Sequence, residues 1–210
     1  MKNIDYTLYL VTDSSCGRDR FFGIVEDALQ NGVTLLQLRE KNMDGGEFYN
    51  EAKKLKELAL KYKVPLIIDD RADIALASGA DGVHVGQSDL PVKEARRIMG
   101  SGKIIGASVQ TEDQAVKAMA DGADYIGAGA AFPTSTKENA GCISMETLKG
   151  ICSSVKIPVV AIGGINKGNA AALSGVPIAG ISVVSAIMGA PAPGAAAAEL
   201  KERFLKARRL

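Results

Sequence analysis

The chain of 210 residues is 47% hydrophobic, enough for one well-filled core and near the lower size limit for eight β/α units. Lys and Arg total 25 against 24 Asp and Glu, a balance that gives no reason to expect nucleic-acid wrapping or coating of an anionic membrane. Cys16, Cys142 and Cys152 are odd in number and lack a CxxC spacing, which reads as reduced thiols; Lys2 and Asp5 precede only a short apolar run, and no apolar span of roughly 20 residues occurs, so a cytoplasmic location is expected.

Short apolar runs alternate with longer amphipathic or alanine-rich stretches, the pattern of parallel strands joined by crossover helices. In chain order the runs predict strands at Thr7–Asp13, Thr34–Glu40, Pro65–Asp70, Gly82–Gly86, Lys103–Val109, Tyr125–Ala131, Ile157–Gly163 and Gly180–Ile187. The intervening stretches predict helices at Phe21–Asn31, Asp44–Lys63, Arg71–Ser78, Pro91–Met99, Thr111–Asp121, Met145–Val155, Lys167–Leu173 and Ala195–Arg209. SGADGVHVG at Ser78–Gly86 and DGADYIGAG at Asp121–Gly129 repeat a helix-exit glycine, Ala-Asp and an apolar strand at a displacement of 43 residues, and Asn31–Arg39 has a similar lead-in. A glycine after a helix suits a left-handed position. Eight evenly spaced pairs predict one domain over residues 1–210, an α/β fold of the (β/α)8 TIM-barrel class. An open doubly wound sheet is the alternative. In such barrels the chemistry sits at the carboxyl ends of the strands.

At the second strand end, Gln37, Arg39 and Lys41 alternate and so share a face, offering an amide and two cations to one pocket; an exposed strand edge reads the same way. The third strand ends in Asp69-Asp70 and the fourth unit supplies Gly86-Gln87-Ser88-Asp89. Each aspartate alone suits a helix start, but Asp70 and Asp89 on neighbouring strand ends are hard oxygen ligands that describe a magnesium site. Ser108 stands near the fifth strand end. Thr134, Ser135, Thr136 and Lys137 follow the sixth with three hydroxyls and a charge, suited to anionic oxygens or to a plain polar turn. Gly163 and Gly164 after the seventh strand let a phosphate approach backbone N–H groups, and the end of the eighth strand with its following helix offers more donors, the recurrent place for a phosphate in such barrels. His84, the only histidine, reads as a packed, hydrogen-bonded group rather than a general base, and the charges of 44–63 and 201–209 as solvated helix faces.

Together, Leu8–Asp13, Gln37–Lys41, Asp69–Arg71, Gly82–Asp89, Pro133–Lys137, Gly163–Ile165 and Val184–Ile187 make the sequence similar to the thiamine phosphate synthase family over essentially its full length. The resemblance implies a transferase of thiamine biosynthesis that joins 4-amino-5-hydroxymethyl-2-methylpyrimidine diphosphate to 4-methyl-5-(2-phosphooxyethyl)thiazole and releases diphosphate by magnesium-assisted dissociative substitution. It implies Mg2+ on Asp70 and Asp89, and pyrimidine diphosphate contacts at Gln37, Leu38, Arg39, Glu40, Lys41, Asp69, Ser108 and Lys137. Thiazole phosphate contacts are implied at Thr134, Ser135, Thr136, Gly163, Gly164, Val184 and Ser185, with Arg39, Ser108 and Lys137 as the catalytic set. The partners expected are these small molecules, not nucleic acid or membrane; an oligomer is left open. One position departs from the family pattern: Asp69 stands where asparagine is usual, so this carboxyl is protonated, pairs with a cation or meets the pyrimidine amino group. A thiazole tautomerase or a non-catalytic phosphate-ligand binder on the same barrel are the rival readings.

Overall fold

In a computed structural model, which describes residues 4–134 and 141–208, eight parallel strands close into one barrel in chain order. They are β1 (Leu8–Val11), β2 (Leu35–Leu38), β3 (Leu66–Asp69), β4 (Gly82–Val85), β5 (Ile104–Val109), β6 (Tyr125–Ala128), β7 (Val159–Ile162) and β8 (Gly180–Val183), and β8 pairs back onto β1. The helices are α1 (Arg18–Gln30), α2 (Gly45–Lys61), α3 (Ala72–Ala77), α4 (Val92–Met99), α5 (Glu112–Ala120), α6 (Met145–Ser154), α7 (Ser185–Met188) and α8 (Pro193–Ala207). The (β/α)8 expectation holds. Among the described residues no helix is long and apolar enough to cross a membrane.

Strand alternation sorts the core into two shells. Tyr9, Val11, Leu35, Ile67, Ile104, Tyr125 and Val160 pack inside the barrel, while Leu8, Leu10, Leu36, Leu38, Leu66 and Ile68 face the helices. Each such fully buried side chain stabilises the fold by about 1.5–3 kcal/mol. The repeat seen in the sequence serves one structural purpose at the amino-terminal end of the barrel. Asp81, just before β4, accepts the Leu66 N–H of β3 at 2.8 Å and pairs with Lys56 at 2.6 Å. Asp124, just before β6, accepts the Ile105 N–H of β5 at 2.7 Å and pairs with Arg96 at 2.5 Å. Thr34, in the same place before β2, accepts the Leu8 N–H of β1 at 3.0 Å. The glycines ahead of them, Gly32, Gly79 and Gly122, all have positive φ, as the helix-exit reading requires.

Two expectations change. The eighth strand stops at Val183 rather than Ile187: Val184 leaves the extended region at ψ −87° and its carbonyl accepts from Ile187 and Met188, so the β-branched run turns into α7. The helix expected over Lys167–Leu173 is only a 3-10 turn at Ala170–Leu173. Asparagine side chains compete there for the backbone: Asn166 Oδ1 accepts from Gly168 N, Asn169 Oδ1 from Asn166 N, and Asn169 Nδ2 donates to the Gly164 carbonyl.

Glu40, just beyond β2, and Glu51 of α2 each keep one buried carboxylate oxygen without a partner among the described residues. Burial raises the pKa of both, and the Glu40 charge adds to the rise at Glu51. A raised carboxyl pKa favours folding while the proton is held and withdraws that support as pH climbs from about 4.5 through the folded value. Glu51→Gln is therefore expected to raise the Tm relative to the parent at pH 7 and to lose the advantage below pH ~4.5. Thermal unfolding at both pH values checks it; a pH-independent difference would contradict it.

Candidate active site

One cavity of about 460 Å³ opens at the carboxyl ends of the strands. Its β2–β4 side carries Gln37, Arg39, Lys41, Asp69, Asp70 and Asp89, and its β6–β8 side Thr134, Gly163, Gly164, Val184 and Ser185; Ser108 of β5 lies between. The strand-end reading thus brings most of the expected residues to one mouth. Leu38 and Glu40 are the exceptions. Alternation turns Leu38 into the outer shell, and Glu40 turns back toward Ser14, so neither side chain lines the cavity and only their main chain remains available to a ligand. Ser135, Thr136 and Lys137 lie outside the described residues.

Asp69 takes the cation option among those open to it. Its Oδ2 lies 2.9 Å from Lys41 Nζ and 3.7 Å from Arg39 Nε. Burial pushes this carboxyl up from its ordinary range; Lys41 and Arg39 oppose the rise and the nearby Asp89 adds to it. Burial works against the charge on Lys41, yet Asp70 and Asp69 beside it leave its pKa above the ordinary value. Lys41 also bonds Asp70, so one ammonium bridges both carboxylates.

Neither aspartate serves as a helix cap. Asp70 sits at φ 58°, a left-handed position that Asp and Asn tolerate better than most residues, and its N–H donates to the His84 carbonyl at 2.8 Å. This bend ends β3 and places the carboxylate at the mouth; the N-cap of α3 is Arg71. Asp89 Oδ2 accepts from Gly86 N at 2.9 Å, which closes the 86–89 turn, while the N-cap of α4 is Pro91. Gly163 and Gly164 have φ of 101° and 65°, and a Cβ at Gly164 would overlap the Pro133 carbonyl oxygen. The glycines let the chain after β7 pass tightly against the 132–133 segment.

His84 is buried and bonded at both ring nitrogens, as expected, but it also borders the cavity floor. Beside it stand residues that strand-end reasoning missed: Tyr9, Tyr125 and Ser182, one to three positions before the ends of their strands. Ser182 is 2% exposed, lines the cavity, and its hydroxyl has no partner among the described residues. The only signal available was strand period, which places Tyr9 and Ser182 on the inward face once one residue of each strand is oriented.

A (β/α)8 barrel whose mouth gathers two basic side chains, three carboxylates and a paired-glycine turn defines a barrel enzyme for phosphorylated ligands. The chain belongs to the thiamine monophosphate synthase family, whose profile matches residues 8–187. A thiamine-phosphate synthase of Methanobrevibacter smithii is 52% identical over 204 residues, 97% of this chain and 98% of the relative. One from Clostridium acetobutylicum is 52% identical over 191 residues, 90% of each. The solved thiamine phosphate pyrophosphorylase from Pyrococcus furiosus superposes with a TM-score of 0.90 at 42% identity, covering 97% of this chain and 98% of that one. The chain is accordingly an enzyme acting on small-molecule substrates.

Proposed function

We propose that this chain condenses 4-amino-5-hydroxymethyl-2-methylpyrimidine diphosphate with 4-methyl-5-(2-phosphooxyethyl)thiazole to thiamine phosphate and diphosphate. The observation that carries the reading is that one cavity holds what both substrates need, with cations and carboxylates on the β2–β4 side and the glycine turn with Ser185 on the β6–β8 side. The two curated relatives, both named thiamine-phosphate synthase, favour it over a tautomerase.

The reaction breaks the bond between the pyrimidine methylene carbon and a diphosphate oxygen, which keeps the electron pair. The thiazole nitrogen then gives its lone pair to that carbon. An electron-rich aminopyrimidine stabilises the intervening cation, so the protein needs no nucleophile of its own. Its residues hold the two rings together and oppose the charge that grows on the leaving group. Arg39 and Lys41 are placed for the diphosphate, with Lys137 assigned there by family pattern. Gln37 and Ser108 are assigned to the pyrimidine ring. Gly163, Gly164, Thr134 and Ser185, with Val184, Ser135 and Thr136, are assigned to the thiazole phosphate.

Among the described residues no group of three or more His, Cys, Asp or Glu is arranged to hold a metal ion. Asp70 and Asp89 nevertheless fit Mg2+, which is commonly held by one or two carboxylates and completed by phosphate oxygens and water. When bound there it would supply positive charge to the departing diphosphate.

Purified protein given both substrates and Mg2+ should release diphosphate and form thiamine phosphate in equal amounts; no release would sink the synthase reading. Arg39→Ala is expected to lower kcat/KM for the pyrimidine diphosphate by about a hundredfold, the scale for losing one preorganised charge donor. The KM for thiazole phosphate should stay within about twofold, within the scatter of an undisturbed site. An equal loss for both substrates would remove the assignment of Arg39.

A further inference from the structure

A continuous hydrogen-bonded chain crosses the barrel interior beneath the cavity. Gln37 Nε2 donates to the Tyr9 hydroxyl at 2.6 Å, the Tyr9 and Tyr125 hydroxyls are 2.7 Å apart, Tyr125 Oη is 2.9 Å from His84 Nδ1, and His84 Nε2 is 2.9 Å from Ser108 Oγ. Its two ends are residues assigned above to the pyrimidine; its three middle members have no role in that assignment. We infer that Tyr9, Tyr125 and His84 are positioning residues that lock the Gln37 amide and the Ser108 hydroxyl into one donor–acceptor sense, matched to a heterocycle bearing an exocyclic amine beside an unprotonated ring nitrogen. The inference rests on the synthase reading of the same cavity.

The direction follows from proton counting. An amide nitrogen can only donate, so the Tyr9 oxygen accepts from Gln37. Its own proton then goes to Tyr125, because any other course would strand a phenol proton in the barrel interior, where Tyr9 is 2% exposed. The Tyr125 proton in turn goes to His84 Nδ1. With Nδ1 thus accepting, the His84 Nε2–H donates to Ser108 Oγ. That leaves the Ser108 proton to be offered to the cavity and the Gln37 carbonyl oxygen as acceptor. Burial pushes the pKa of both phenols above their ordinary value of 10, so each keeps its single proton and the count holds. No proton has to move during turnover.

The packing is built around this chain. Gly106, between His84 and Tyr125 in the strand register, has no room for a Cβ, which would overlap the Tyr125 hydroxyl and His84 Nδ1. Tyr125 is also clasped by the rings of Tyr6, Tyr9 and His84, with centroids 5.2, 5.9 and 5.5 Å away. Because each link is fixed by the one before it, reversing the Gln37 amide requires reversing the links from Tyr9 to His84. A 4-oxo pyrimidine, which presents a ring N–H and a carbonyl, sets its carbonyl against the Gln37 carbonyl oxygen, and at Ser108 it meets a hydroxyl that must turn its proton aside before its second lone pair can accept.

The deciding experiment is equilibrium binding, by calorimetry, of the 4-amino pyrimidine diphosphate and its 4-oxo counterpart to the full-length protein and to Tyr125→Phe, which deletes one oxygen and leaves the ring. The parent should favour the amino ligand by about tenfold or more, and Tyr125→Phe should erase most of that preference. Tyr9→Phe, which breaks a different link, should act likewise, and the double variant should be no worse than either alone, since one break suffices. An undiminished preference in a folded single variant, or losses that multiply in the double, would overturn the relay while leaving the synthase reading in place. A parent that binds neither pyrimidine would overturn both.

Discussion

Asp89→Asn, and separately Asp70→Asn, should lower magnesium-dependent diphosphate release by about a hundred- to a thousandfold, because each removes one of the two carboxylates assigned to a cation that offsets several kcal/mol of leaving-group charge. Asparagine is chosen because it spares the fold. At position 89 its carbonyl can still accept from Gly86 N, and at position 70 it tolerates the left-handed φ of 58°. Lys41 in the position 70 variant keeps Asp69 at 2.9 Å, so no ammonium is abandoned. Turnover measured against Mg2+ concentration, beside a Tm for each variant, reads the effect. Parental turnover at saturating magnesium in either variant would withdraw the metal role from that residue.

The second large effect is on stability. Gly180 opens β8, and a Cβ there would overlap the Tyr6 carbonyl oxygen, with Thr7 N only 3.1 Å away. Both neighbours are backbone, so relief cannot come from a side chain swinging aside. Gly180→Ala must prise β8 from the segment leading into β1, at the seam where Leu8 pairs with Ile181. Overpacking of this kind costs about 3 kcal/mol at the upper end of its usual range. For a domain of this size that lowers the Tm by roughly 6–12 °C. A Tm within about 2 °C of the parent would show that the seam yields more easily than close backbone contact allows.

The architecture was readable because each of the eight apolar runs is bracketed by helical or turn sequence; boundaries moved, one expected helix shrank to a 3-10 turn, and the end of the last expected strand became α7. Where they moved, local chemistry decided: asparagines 166 and 169 bind backbone that a helix would need, and Val184 bends out of a run whose composition still reads as strand. The mouth was legible by its position after the strands, which is how Arg39, Asp70, Asp89 and Ser108 came to one cavity. Leu38 and Glu40 did not follow, for the reason that alternation itself supplies. The floor was harder. A barrel strand is buried on both faces, so Leu8-Tyr9-Leu10-Val11 carries no polar mark of which side is inward. That Tyr9 meets Tyr125, 116 residues away in sequence, is a tertiary fact. Asp69 shows a finer limit: its residue type posed the question, and only the nearness of Lys41 answered it.

The polar clamps at the far end of the barrel bear on how the ring is assembled. The Thr34, Asp81 and Asp124 bonds span 26, 15 and 19 residues and each joins two consecutive strands. Closing so short a loop loses little chain entropy, so β1–β2, β3–β4 and β5–β6 can each pair early as a sequence-local unit with a helix on its back. The fourth pair has Ala179 where the others have a hydroxyl or carboxylate. The chain thus offers folding three short closures before it demands the long one, from β8 back to β1, and that last closure depends on glycine fit instead of a side-chain clamp.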